Sequence, residues 1–372
     1  MKISFFSAVC YDSIIGGRTK RLALEIARLG HDVWFVEMPG LRNMRIPPMQ
    51  IRKADGISIV TLPPFPGSHK LMETCLGAVW RKAVRFFLSE RLAPIEDIHC
   101  IVSTPWWTNL VRGVPFKSLT YDFIDNVSVH CSRKYEKTMR RWEESLLGRS
   151  QSIFIVRDTL RNEIKNTETK NTSLISNGVP ESWLKIQPIR STRGERPRIG
   201  FIGSIYEWVD QELICYAAET LSDLDFILIG PLRREVTVDA MRKVPNVLLN
   251  PPVPFEQVPK CIQSFDVCII PFKRDVVSRY ADPLKLYEYL ALGKPVVCSV
   301  DFNPHAPVYA GTTPREFAVH IESALDEPDR SAEYREFASH YTWRKQARKV
   351  IEALGPRGSK NVEAEGAILA TS

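Results

Sequence analysis

Short apolar runs alternate with polar, glycine-bearing loops and amphipathic segments through most of the chain. KISFFSAV is a compact apolar strand, and CYDSIIGGRTK a polar loop after it. TKRLALEIARLGH then places Leu22, Ile26 and Leu29 on one face at helical spacing, with Gly30 as the stop, and DVWFVEMP is the next strand. Strand, glycine loop, helix, strand is the unit from which doubly wound parallel sheets are built. ISIVTLPPFP, IHCIVSTP, SLTYDFID, SIFIVRD and TSLISNGV continue as strands, with a helix predicted over 158–165. The rhythm stops at 181–198, where ESWLKIQPIRSTRGERPR has two prolines, many charges and no apolar period.

It then restarts. PRIGFIGSI, DFILIGP, NVLLNPPV, DVCIIPF and PVVCSV read as strands, QELICYAAETL as a helix, with further helices over 256–264, 283–292, 314–326 and 331–354. The pattern predicts an α/β protein of two doubly wound parallel-sheet domains, 1–180 and 199–355, joined by a linker at 181–198 and followed by a tail at 356–372. One more segment stands out. LMETCLGAVWRKAVRFFLSERL (71–92) sets an apolar series against Arg81, Lys82, Arg85 and Arg91. It reads either as a core-packing helix with a charged outer face or as a helix lying on an anionic membrane.

Composition narrows the classes. With 372 residues, 44% apolar and 25% charged, each domain can bury its own core. The net charge of +7 points mildly to anionic partners, but no basic block is interleaved with aromatics, so nucleic acid is not expected. Eight cysteines without a CxxC pair, several inside apolar runs, suit free thiols in a reducing compartment, and the scattered histidines suggest no metal site. The opening residues lack the length and cleavage pattern of a signal peptide, and no run of 18 apolar residues occurs. A cytoplasmic protein is expected, attached at most to the inner face of the membrane.

The candidate chemistry begins at 280–297, YADPLKLYEYLALGKPVV. Asp282 reads as an N-cap and Pro283 as the first helical residue, which puts Lys285 at the third helical position. A cation there opposes the helix dipole unless something negative lies in front of it. A lysine and open amides aimed at one point make a phosphate site, and Glu288, a turn further along, can accept both hydroxyls of a ribose diol. The plainer alternative is an i,i+3 ion pair between Lys285 and Glu288.

DPLKLYEYLALGKPVV resembles the donor-binding helix of GT-B glycosyltransferases of the group 1 kind, closest to the bacterial branch of teichuronic acid and exopolysaccharide glycosyltransferases. GFIGSIYEWVDQELI resembles the first strand-loop-helix of that family's C-terminal domain, FDVCIIPFKRD the strand before the donor helix, and SIIGGRTKRLALEIARLGHDVWFVEMP the N-terminal opening unit. PREFAVHIESAL and YTWRKQARKVIEAL resemble the closing helices. The resemblance implies two Rossmann-like domains facing across a cleft and no bound cofactor. The co-substrate would be a UDP- or GDP-linked sugar and the acceptor a saccharide or lipid-linked saccharide. It carries the ribose role onto Glu288, and donor contacts onto Gly203, Ser204, Leu284 and Lys285, with Lys273 and Arg279 helping to neutralise the leaving diphosphate. A metal-independent hexosyltransferase is the implied type. Many members carry a second acid eight residues before the ribose glutamate; Tyr280 stands there instead. Glu207, Trp208 and Val209 replace the usual lysine-glycine pair, so the donor sugar cannot be copied over.

For catalysis, aspartates in loops after N-terminal strands are the candidates: Asp12 in CYDSIIGG, and Asp122 and Asp125 in TYDFIDN, a YDxxD motif of the same branch. An inverting transfer needs such a carboxylate to take the acceptor proton, a retaining one does not, and each aspartate could equally form a turn. Gly16 and Gly17 leave room for substrate at the first helix. One tryptophan of STPWWTN, Trp106, could stack on the acceptor while the other fills core. A nucleotide-sugar epimerase and a non-catalytic binder stay open as alternatives.

Overall fold

A computed structural model describes residues 1–13, 17–39, 48–63, 73–92, 94–125, 131, 134–164, 171–189, 196–233 and 236–355. The N-terminal sheet comprises β1 (Lys2–Phe6), β2 (Asp32–Val36), β3 (Gln50–Ala54), β4 (Ile57–Thr61), β5 (Ile98–Val102), β6 (Ser118–Phe123), β7 (Ser152–Ile155) and β8 (Asn171–Leu174), ordered β3-β4-β2-β1-β5-β6-β7-β8. All pairings are parallel except β3 with β4. That antiparallel hairpin escapes the sequence pattern because β3 is QIRKA, with one large apolar residue, and it forms the sheet edge. Helices α1 (Gly17–Arg28), α2 (Cys75–Arg91), α3 (Thr108–Val111) and α4 (Glu136–Arg149) connect these strands. The helix predicted over 158–165 is a 3-10 segment, Asp158–Glu163.

The C-terminal sheet runs β11-β10-β9-β12-β13-β14, all parallel, from β9 (Arg198–Ile202), β10 (Asp225–Ile229), β11 (Val247–Asn250), β12 (Val267–Ile270), β13 (Val296–Cys298) and β14 (Tyr309–Ala310). Around it lie α5 (Gln211–Thr220), α6 (Asp239–Arg242), α7 (Val258–Gln263), α8 (Val276–Tyr280), α9 (Leu284–Ala291), α10 (Pro314–Asp326), α11 (Ser331–Ser339) and α12 (Trp343–Leu354). In both sheets the strand order reverses beside the first strand, between β1 and β5 and between β9 and β12. Crevices open at such switch points, at the C-terminal ends of the strands.

Two assignments differ from the periodicity. The amphipathic stretch 331–354 is two helices, because Thr342 caps α12 by accepting from the amide of Lys345. The stripe Trp343, Ala347, Val350 and Leu354 then packs with Leu22 and Ile26 of α1, so α12 joins the N-terminal core despite following the C-terminal domain. Within the predicted linker, Trp183 is buried in the C-terminal core and stacks on Phe255. The two crossings between domains run side by side: the amide of Val179 donates to Tyr341 and that of Trp343 returns to Val179, at 2.9 and 3.0 Å. No helix among the described residues is long and apolar enough to cross a membrane.

Candidate active site

At the β9/β12 switch point the loops leaving both strands are pinned to each other. The amide of Lys273 donates to the Trp208 carbonyl at 2.7 Å and that of Asp210 to Pro271 at 2.8 Å. Gly203 follows β9 at φ 151°, where its amide donates to Ile229, and a side chain on Gly230 (φ 155°) would lie 2.0 Å from the Gly203 oxygen. Only glycines let the two loops nest this closely.

Helix α9 begins against this loop. It starts at Leu284, one residue later than expected, with Pro283 as N-cap, so Lys285 is the second helical residue. Asp282 does not cap: it is buried, accepts the Tyr287 hydroxyl and the Asn177 amide at 2.7 Å each, and reaches across to the N-terminal domain. The buried Tyr289 accepts the amide of Ile202 at 2.9 Å, which fixes α9 on the end of β9. The amides of Leu284 and Lys285 precede the first intrahelical bond and stay open at the helix end.

Lys285 is half-buried and its stem covers Gly203; a β-carbon there would be 2.1 Å from Cε. Its Nζ lies 5.3 Å from the Phe201 ring centre and 5.9 Å from that of Phe272. Burial lowers the pKa of Lys285 and raises that of Glu288, each opposed by the other's charge, with Arg21 of α1 also favouring ionised Glu288. Lys285 and Glu288 nonetheless form no direct ion pair, and neither side chain has a hydrogen-bond partner among the described residues. The plain i,i+3 pair is therefore not made. A cation and an acid, both paying for burial without a hydrogen bond or direct ion pair, line the open end of a helix.

From the N-terminal side, α1 meets α9 head on: a β-carbon on Gly17 would touch the Leu284 side chain at 3.6 Å. Gly16 lies outside the described residues. Arg18, one residue further, is buried and donates to Asp122 through Nε at 3.0 Å and Nη2 at 2.8 Å, and through Nη1 to Ser176 O and Asn177 Oδ1. Asn177 in turn donates its amides to Asp282, so the chain Asp122–Arg18–Asn177–Asp282–Tyr287 ties the two domains at the donor helix. Replacing Arg18 by Met should lower the unfolding free energy by about 3–5 kcal/mol, since it strands a buried carboxylate. Denaturant titration checks this, and Arg18→Met/Asp122→Leu should recover part of the loss.

The aspartates thus separate. Asp122 is consumed by Arg18. Asp12 is largely exposed and pairs with Arg52 at 2.7 Å. Asp125, just past β6, is half-buried with no hydrogen bond among the described residues. Burial pushes its pKa up to about 7, the Asp282 charge adds to this, and Arg18 opposes it. Tyr280 packs edge-on against Phe123 at 6.2 Å, and Arg157 donates to the carbonyls of Arg279, Ala281 and Asp301, further closing the domains on this segment. Lys273 and Arg279 extend into solvent beyond β12 and on α8, while Ser204 is half-buried beside Gly203. Trp107 is core, donating to Ser7 O; Trp106 is half-buried, edge-on to Trp80 and Trp107.

Sequence reasoning missed Arg18, Arg21, Asn177 and the bridging role of Asp282. For Arg18 a signal existed: GGRTKR puts cations in a helix's first turn, the same anomaly that singles out Lys285.

Two doubly wound domains joined at the C-terminal ends of their sheets constitute the GT-B fold. The chain superposes on sucrose-phosphate synthase from Thermosynechococcus elongatus with a TM-score of 0.74 at 15% identity, over 95% of this chain and 98% of that one. It superposes on HepE of Anabaena, solved with UDP and glucose, with a TM-score of 0.64 at 15% identity, over 95% and 99%. Residues 196–326, which hold Gly203, Lys285 and Glu288, match the family Glycosyl transferases group 1. In sequence the chain is similar to TuaH of Bacillus subtilis (strain 168), named as a teichuronic acid biosynthesis glycosyltransferase, at 32% identity over 217 residues. That match spans about half of each protein, 52% of this chain and 54% of TuaH.

Proposed function

We propose that the protein transfers a sugar from a nucleoside diphosphate sugar, UDP- or GDP-linked, to a hydroxyl of a saccharide or lipid-linked saccharide in the synthesis of a bacterial surface polysaccharide. The observation that carries this is Lys285: a half-buried ammonium with no direct ion pair or hydrogen bond among the described residues, at the open end of α9, within the segment that matches the group 1 family. The UDP and glucose held by HepE support the donor class, and the naming of TuaH supports the acceptor class.

In this reading the donor diphosphate lies before α9, where Lys285, the amides of Leu284 and Lys285 and the helix dipole act together. Gly203 and Ser204 border it, Lys273 and Arg279 add positive potential, and Glu288 accepts the ribose hydroxyls. The acceptor enters over Gly17, on the N-terminal side. As the acceptor oxygen bonds to the anomeric carbon, its proton passes to Asp125; the carbon–phosphate oxygen bond breaks and its electron pair leaves with the diphosphate. Asp12 and Asp122 shape the N-terminal loops, and Trp106 lines the acceptor side.

The test is release of nucleoside diphosphate from UDP- and GDP-sugars with and without added glycan acceptors, with products read by mass spectrometry. A glycan gaining one sugar, at a rate unchanged by chelator, is the expected result. Interconversion of nucleotide sugars without acceptor would replace the proposal with an epimerase.

A further inference from the structure

Helix α2 turns its side chains against the simple expectation of a charged outer face. Arg85 points inward, donating to the carbonyls of Asn109, Leu110 and Arg112 at 2.8, 2.8 and 2.6 Å and closing the end of α3. Arg81 is half-buried. The buried contacts come from Gly77, Val84 and Leu88. What faces outward is Leu76, Val79 and Phe86, exposed by 67, 68 and 67%, with Ala83 exposed between them. Spacings of three, four and three residues put these four on one stripe. Lys82 and Arg91 are exposed on the same helix, with Glu90 the exposed acid near them.

Beside Phe86 a cavity of about 310 Å³ opens between α2 and the segment 110–116, walled by Leu110, Val111, Val114 and Phe116, with Lys82 at its mouth. Three large apolar side chains left in water along one stripe, next to an apolar cavity, mark a surface built to be covered. The flanking cations select the cover by charge.

We propose that α2 docks the protein on an anionic lipid bilayer, with Leu76, Val79 and Phe86 entering the headgroup boundary and the adjoining cavity accepting apolar lipid chain. Because α2 follows the parallel strand β4, its first turns lie at the C-terminal edge of the sheet, the edge that carries Asp125. Docking through Leu76 and Val79 therefore brings the rim of the candidate active site to the membrane surface, which goes beyond sugar transfer itself.

The probe is vesicle co-sedimentation. Vesicles of phosphatidylglycerol with phosphatidylcholine should bring the protein down, vesicles of phosphatidylcholine alone far less, and Val79→Glu/Phe86→Glu should cut partitioning by about tenfold or more while leaving UDP affinity unchanged. Lys82→Ser should lower it by about fivefold, an effect that shrinks with added salt. Phe86→Trp keeps an aromatic ring at the site, and its fluorescence should shift to the blue on adding the anionic vesicles. The idea is overturned if the protein stays in the supernatant, if the double glutamate variant sediments like the wild type, or if the fluorescence of Phe86→Trp is indifferent to the vesicles. A dimer in vesicle-free buffer that the glutamate pair dissolves would also overturn it, by assigning the stripe to a second copy of the chain.

Discussion

Asp125→Asn is expected to lower the rate of sugar transfer by about 10²–10⁴, the usual contribution of a positioned general base, while leaving UDP affinity as it is. The expectation rests on isolation. Asp122 is held by Arg18 and Asp12 by Arg52, whereas Asp125 has no hydrogen bond among the described residues and a pKa pushed up to about 7 by burial. A base with that pKa loses its proton as pH rises through 7, so the wild-type rate should climb across that range and the Asp125→Asn variant should lack the climb. The same shift has a stability consequence. A carboxyl raised on folding contributes stability that is fully present below the ordinary carboxylate range and is lost as pH rises through about 7. Denaturant titration of the variant should show that decline flattened. A variant retaining near-normal transfer and the same pH limb would remove Asp125 from the chemistry and favour a retaining course, which needs no side-chain base.

Gly203→Ala should weaken nucleotide binding by about tenfold or more without unfolding the protein. The new methyl would sit 2.1 Å from Cε and 2.5 Å from Nζ of Lys285, so the flexible lysine end is displaced from the mouth of α9. The backbone at φ 151° adds strain of about 1–3 kcal/mol. If Gly203 acts by giving Lys285 its place, the two substitutions are not independent. Gly203→Ala/Lys285→Ala should bind UDP about as poorly as the worse single variant rather than by the sum of both losses. Additive losses in calorimetric titrations would mean that the glycine serves the nucleotide by another route.

Much of this was readable in the linear chain, and the reason is local. Apolar runs such as KISFF and VCII name central strands, since strands buried on both faces have few polar positions. Lys285 stood out because a cation in a first helical turn contradicts the dipole, an anomaly that needs no tertiary knowledge. What could not be read depends on distant partners. Asp282 has the sequence context of an N-cap, yet its carboxylate is claimed by Asn177, 105 residues away. The amphipathicity of α12 predicts a helix but not that its stripe packs on α1. For α2, apolar and basic residues mix around the helix, and only the inward turn of Arg85 reveals that the apolar stripe is the outer one.

The central claim is that the end of α9 holds a nucleoside diphosphate through Lys285. Calorimetric titration of UDP and GDP into the wild type and Lys285→Ala tests it most directly. The account predicts binding of at least one of them by the wild type, weakened by about tenfold or more in a variant that remains folded, as loss of a charge-assisted phosphate contact implies. Equal affinity in the two proteins would contradict it and move the donor elsewhere.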